Sequence, residues 1–393
     1  MSIMPASRLS AAVVMVVTTL AGAQPVRTTG PVEPAVPTQR TRSFFMGFTS
    51  FPYDFTAQAQ ADTYDFIEHN ADLVTFHHDA GVPWPEALDG QHNYSPALLA
   101  QIDDKVANIR PGQIVYVSAT PQSQQRGAEL APYFGKTDNL PLPPGWENRT
   151  FDDLEVILAY INWCRYLLDR FEPDYFAYSI ECNAGFTGPD DPGFWQFLVL
   201  SEWVYTVLKS EYPQVTIFLT VQADAEAATR ADFLAVTDLL LDRSDIVGIS
   251  TYPYLIPGHD AWSFHTDPSD LPDDLLTAIT DLAPGKPMAI TETGYIAEDL
   301  VIAEFGFNLA GTPEWQAAYL DWLLPRLDDQ NALFLVWFVP RDYDLGLERL
   351  TRQGVEIPPL FYIWRDNGLL DGDGNARPGL SVWHRWLART HAP

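Results

Sequence analysis

The stretch "DYFAYSIECNAG", residues 174–185, sets a carboxylate at the end of an apolar run. Read as a strand from Tyr175 to Ile180, it puts Phe176, Tyr178 and Ile180 on one side and Ala177, Ser179 and Glu181 on the other, because successive strand side chains alternate. The bulky side is apolar. The small side ends in a glutamate, with Cys182, Asn183 and Gly185 just beyond. Taken alone, such a glutamate is a solvated strand end. Its meaning depends on what the chain builds around it.

Outward from this segment the same unit recurs. Short β-branched or aromatic runs fall at Phe44–Phe48, Leu73–Phe76, Ile114–Ser118, Tyr175–Ile180, Val215–Val221, Ile246–Ser250, Met288–Thr291 and Ala332–Phe338. Patterns of helical period lie between them, near 57–69, 96–109, 151–170, 192–211, 225–242, 271–282 and 313–328, with a last one from Leu380 to Arg389. Strict alternation of strand and helix argues for a parallel sheet. Eight such units and a terminal helix fit a closed (β/α)₈ barrel, a single α/β domain over residues 43–393, better than an open doubly wound sheet. No Gly-rich phosphate fingerprint follows any of the runs, which weighs against a dinucleotide fold.

In a barrel of this kind the chemistry gathers at the carboxyl ends of the strands. The residues just past each run suit that expectation: Ser50, Tyr53 and Asp54; His77, His78, Asp79 and Trp84; Thr120 and Gln122; Glu181 and Asn183; Gln222 and Asp224; Tyr252 and Tyr254; Glu292; and Trp337, Arg341 and Asp342. In "PMAITETGY" the residues Met288, Ile290 and Glu292 share a strand parity, so a second glutamate ends a buried run. Two carboxylates on opposite walls of one barrel mouth can flank a single bond. Acetal hydrolysis needs that arrangement, with one group protonating the leaving oxygen and the other meeting the oxocarbenium-like carbon.

With these residues in place the chain resembles the clan A retaining glycoside hydrolases. "AITETGY" is similar to the clan's nucleophile strand. "DIVGISTYPYL" is similar to its strand six, especially in the family 53 endo-β-1,4-galactanases. "LFLVWFVP" offers the tryptophan that floors the sugar site in the clan, and "GLLDGDGNARPGLSVW" is similar to its turn before the final helix. The resemblance implies Glu181 as acid/base and Glu292 as nucleophile, Tyr252 orienting Glu292, and Trp337 as a stacking platform. His77, His78, Asp79, Trp84 and Asn183 are the further candidates for sugar contact. One departure stands out: the clan places Asn directly before the acid/base, and here Ile180 fills that position, with Asn183 two residues past the glutamate. A noncatalytic sugar-binding barrel is the rival this departure suggests. A metal-dependent hydrolase is a third reading, invited by "HHD" at 77–79, but adjacent strand residues point apart and would not chelate one ion.

Composition bounds the rest. Arg8, the apolar run Leu9–Leu20 and Ala21-Gly22-Ala23 have the order of a cleaved export signal over residues 1–23, and a Pro- and Thr-rich linker covers 24–42. The chain is therefore expected to be secreted or periplasmic. The formal charge of −29 repels nucleic acid and anionic membranes. Export would permit a disulfide between Cys164 and Cys182, though two buried free thiols are the expected state. The expected partner is a plant or algal polysaccharide or an oligosaccharide derived from it. No nucleic acid, membrane anchor, cofactor or metal is expected, and the working unit is expected to be a monomer.

Overall fold

The computed structural model describes residues 41–223, 230–255 and 267–392. The export signal and nearly all of the linker expected from the sequence lie outside them, as do Asp224 and Trp262. Nine parallel strand segments form one sheet. They are β1 (Phe45–Thr49), β2 (Leu73–His78), β3 (Ile114–Ala119), β4 (Tyr175–Ala177), β5 in two pieces (Thr216–Phe218 and Thr220–Gln222), β6 (Val247–Thr251), β7 (Met288–Thr293) and β8 (Phe334–Trp337). The first piece of β5 pairs with β4 and the second with β6, while β8 pairs with β1, so the sheet closes as an eight-stranded ring. Thr41 and Arg42, assigned to the linker on sequence, instead pair with Thr390 and His391.

Helices follow the strands: α1 (Ala57–Asn70), α2 (Trp84–Asp89), α3 (Pro96–Ala107), α4 (Leu154–Phe171), α5 (Pro192–Glu211), α6 (Arg230–Leu241), α7 (Thr277–Thr280), α8 (Pro313–Asp329), α9 (Asp344–Arg352) and α10 (Pro378–Leu387). Several start on one local signal, a polar cap followed by proline. Ser95, Asp191 and Thr312 each accept a first-turn N–H, and Pro96, Pro192 and Pro313 occupy positions with no intrahelical bond to lose. The helix expected over 271–282 is a single turn at Thr277–Thr280, since Pro272 and the Ala283-Pro284-Gly285 turn confine it. The short helices α2 and α9 were not expected.

The lumen of the barrel is packed. Leu73, Tyr116, Ala177, Phe218, Ala289, Phe334 and Val336 fill it from six strands, with Tyr116 against Phe218 at 5.6 Å and against Phe334 at 5.2 Å between ring centroids. A Cβ at Gly248 would sit 2.9 Å from the Phe218 ring, so the glycine makes room for it. The opposite parity of each strand packs on the helices, as Phe76 does against Phe171 at 5.3 Å. The lower rim is tied by a repeated device. Asp72, Asp174 and Asp245, each just before an even-numbered strand, accept the N–H of Met46, Val115 and Ile217 on the preceding odd-numbered strand, each at 2.9 Å. Asp245 also binds Lys209 at 2.6 Å and Tyr205 at 2.9 Å.

This rim lies at the opposite end of the barrel from the candidate site. Asp245→Ala should therefore cost about 2–4 kcal/mol of stability by leaving a strand N–H without its acceptor and Lys209 without its counter-charge, while sugar binding is unchanged. Chemical denaturation beside ligand titration would check this, and an unchanged denaturation midpoint would contradict it.

Candidate active site

Two local irregularities aim the glutamates. The β4 strand ends at Ala177, earlier than the sequence expectation of Ile180. Glu181 therefore lies in a turn, with φ of +49°, rather than at a strand end. Its N–H donates to Thr220 Oγ1 of β5 at 2.7 Å, and Ser250 of β6 donates its hydroxyl to Glu181 Oε1, also at 2.7 Å. In β7 the parity reading needs correction. Ala289 faces the lumen, whereas Met288 and Ile290 pack on the helices. Regular alternation would send Glu292 outward with them. A β-bulge at Thr291 prevents this: Ile290 pairs with Ile249 and Leu335, but Glu292 pairs with Ser250, and Thr293 with Trp337. The extra residue turns Glu292 inward and gives Thr293 to the helix layer, where its hydroxyl meets Tyr319 at 2.8 Å.

The two carboxylates consequently share one cluster. Ser250, the ladder partner of Glu292, is itself bonded to Glu181. Tyr252 donates to Glu292 Oε1 at 2.6 Å, and His77 Nδ1 lies 3.3 Å from Glu292 Oε2. Arg126, in the loop after β3, donates to both oxygens of Asp79 at 3.2 and 3.3 Å and to Glu181 Oε2 at 3.4 Å. This loop is fixed to the one that carries Glu181. Gly127 N–H donates to Ala184 O at 3.1 Å, and a Cβ on Gly185 would meet Gly127 N at 2.5 Å. No pattern in the sequence singles out Arg126, because its position depends on this contact between loops.

Electrostatics divides the cluster. Burial raises the Glu292 carboxyl to about 8, and the nearby Glu181 charge adds to the effect, against the opposing Tyr252 hydrogen bond. Burial lowers His77 to about 3, helped by Lys105 and Arg126, so its contact with Glu292 involves a neutral imidazole rather than an ion pair. Burial and Glu292 hold Tyr252 well above its usual range, keeping it a donor. The Arg126 guanidinium is raised by Asp79 and Glu181 despite its burial, and stays cationic.

The other sequence candidates fall elsewhere. His78 points away from His77, between Trp163 and Phe171 at 6.0 and 5.4 Å, as strand alternation requires. Asn183 joins β5 to α6 through Gln222 O, at 3.0 Å, and Thr237 Oγ1, at 2.9 Å; it does not face the cluster. Trp84 has no exposed surface; it stacks on Trp146 at 5.5 Å and donates to Ala131 O. Trp337 is also fully buried, packed on Tyr319 at 6.1 Å and donating to Asn367 O. Phe334 and Val336 face the lumen, so by alternation Trp337 faces the helices and Phe338 is turned back toward the site. Phe338 joins Tyr252 and Trp364 in an aromatic group, at 6.5 and 6.4 Å. Neither Trp84 nor Trp337 offers a face on which a sugar could stack.

Asp54 is bound to Arg349 at 2.6 Å, and Arg341 lies over the Tyr53 ring at 3.9 Å. Both contacts brace the barrel top. Glu298, Asp342 and Asp366 bring three carboxylates together, but Arg377 already binds Asp342 and Glu298, each at 2.7 Å. A guanidinium fills the role a cation would take there. Cys164 and Cys182 are buried free thiols, and no described helix is long and apolar enough to cross a membrane.

No protein-family model and no curated protein matches the chain. Solved structures do match its fold. A variant of GH5_18 from Streptomyces cattleya, in complex with Manβ1-4GlcNAc, is 16% identical with a TM-score of 0.58, over 90% of this chain and 83% of that one. The exo-β-1,4-mannosidase of Opitutaceae bacterium strain TAV5 is 15% identical with a TM-score of 0.58, over 88% and 60%. The β-glucuronidase of Bifidobacterium dentium is 13% identical with a TM-score of 0.50, over 88% and 47%. At these identities the likeness is one of fold.

Arg126→Ala would leave Asp79 and Glu181 facing each other without a counter-charge. It should cost about 3 kcal/mol at pH 8, since a buried ion network has been broken by removing one member. Uncompensated carboxylates bind protons more tightly in the native state than in the unfolded one, so stability should recover toward pH 5. Arg126→Lys should restore part of it. A pH-independent loss, measured by denaturation from pH 5 to 9, would show that Arg126 acts through packing alone.

Proposed function

We propose that this protein is a secreted retaining β-glycosidase that cleaves within a neutral, β-linked plant or algal polysaccharide. The observation that carries the reading is the convergence of Glu181 and Glu292, from opposite walls, on one buried cluster. There the charge of one raises the proton affinity of the other. A double displacement starts from an ionised nucleophile and a protonated acid. Before substrate binds, burial first and the Glu181 charge second favour the proton on Glu292 instead. A sugar placed over Glu292 sets its electron-poor anomeric carbon against that carboxylate and a basic glycosidic oxygen beside Glu181. Both contacts favour moving the proton to Glu181.

In the first step Glu292 attacks the anomeric carbon, the glycosidic C–O bond breaks, and Glu181 protonates the departing oxygen. In the second, water gives a proton to Glu181 and attacks the same carbon, releasing Glu292. Tyr252 holds the attacking carboxylate. Ser250 and Arg126 hold the acid. The names of the structurally similar proteins, mannosidase and glucuronidase, support a β-glycoside substrate. The net charge of −29 favours a neutral polymer over a uronate-rich one. Galactan, suggested by the strand-six segment, and mannan are the first polymers to try.

The roles predict opposite products after truncation. Glu181→Ala still forms the covalent intermediate from an aryl glycoside with a good leaving group, and azide rescues its breakdown to give a β-glycosyl azide. Glu292→Ala forms no intermediate, and azide attacks once to give an α-glycosyl azide. Proton NMR separates the anomers. Swapped anomers would reverse the roles, and wild-type activity in both variants would remove the pair from catalysis. Export predicts a mature chain that begins near Gln24; amino-terminal sequencing of secreted protein that found Met1 would refute it.

A further inference from the structure

The outer surface beside the barrel mouth carries an apolar patch that no element among the described residues covers. On α5, Trp195 is 51% exposed, Val199 42% and Trp203 56%; on the neighbouring α4, Leu154 is 67% exposed and Leu158 42%. Steps of four residues put the three α5 side chains along one helix face, and eight residues separate the two indoles by about 12 Å along the axis. Phe151, just before α4, packs against Phe197 of α5 at 5.3 Å and holds the start of α4 beside α5. Since α5 starts at Pro192, directly after the loop that holds Glu181, Trp195 lies toward the same end of the barrel as the carboxylate pair.

We propose that this face binds a neutral β-linked glycan chain as it passes outside the cleft. The inference rests on the glycosidase reading and adds to it that the substrate is a polymer long enough to reach α5. Three observations select this occupant. The patch is on the order of 500 Å², functional in size for a surface patch but short of the roughly 800 Å² per partner that a stable dimer needs. A second copy would also bring another −29 of charge to a small contact. The charged groups flanking the patch are Asp152 and Asp153 before α4, Asp190 and Asp191 before α5, and the pairs Glu202–Arg243 and Glu155–Arg149, an acidic balance that disfavours an anionic ligand. Two exposed indoles at this spacing suit pyranose rings two apart along an extended chain, whose C–H faces stack on flat aromatic surfaces.

The test compares the full chain with a Trp195→Ala/Trp203→Ala variant. Affinity electrophoresis in gels containing galactan or mannan reads polymer binding, an aryl β-glycoside reads the active site, and light scattering reads oligomeric state. Polymer retardation should weaken at least tenfold and KM on polymer should rise, while kcat/KM on the aryl glycoside stays within twofold. Unchanged retardation would overturn the proposal. So would a wild-type dimer that the variant converts to monomer, which would make the face a contact between copies. Trp-dependent retardation in a wild-type chain that hydrolyses neither substrate would sustain the binding face and refute the glycosidase.

Discussion

The site depends on one extra residue. Without the bulge at Thr291, alternation along β7 would carry Glu292 into the layer between sheet and helices, beside Tyr319, and the lumen would face Glu181 alone. The bulge is held on both sides. Thr291 donates its hydroxyl to Ile249 O at 3.0 Å, and the registers with β6 and β8 both shift past it. A bulge re-aims a side chain at the cost of local ladder bonds. Here it turns a second acid into the buried mouth, where burial first and the Glu181 charge second raise the affinity of Glu292 for its proton.

Two like charges in a dry site are costly, and the surroundings show how the cost is met. Arg126 supplies the compensating cation, buried and bound to Asp79 as well as Glu181. His77, held neutral by burial, touches Glu292 without adding charge. Lys105 anchors the end of β2 from outside by donating to His77 O at 2.9 Å, and its positive charge also opposes protonation of that ring. The cluster is therefore tuned by three strand ends and a loop. The barrel supplies these from separate parts of the chain, which is why a closed ring suits two-carboxylate chemistry.

The alternation that defines the barrel was legible in the sequence, because buried strands and amphipathic helices have different periods and the chain keeps to them. The two glutamates are conspicuous in the sequence as carboxylates at the ends of apolar runs, and the expected Tyr252–Glu292 contact is present. What failed was inference from parity across a bulge and from residue type without direction. Trp337 and Trp84 are tryptophans near strand ends, yet both face packed layers and bond backbone carbonyls through their indole N–H. Trp337 alternates with the lumen-facing pair Phe334 and Val336, so it faces the helices. For Arg126 the sequence held no signal of that kind, because its role arises from a tertiary contact between two loops.

The acidic surface and the buried cluster do not conflict. Exposed carboxylates of a −29 chain are hydrated and screened within about 8–10 Å, so they set which partners approach without fixing the proton inside the mouth. The proton on Glu292 is governed by neighbours within hydrogen-bond range and by the loss of water. Surface and site thus act at different distances. The first disfavours polyanions, and the second raises the proton affinity of Glu292 chiefly through burial.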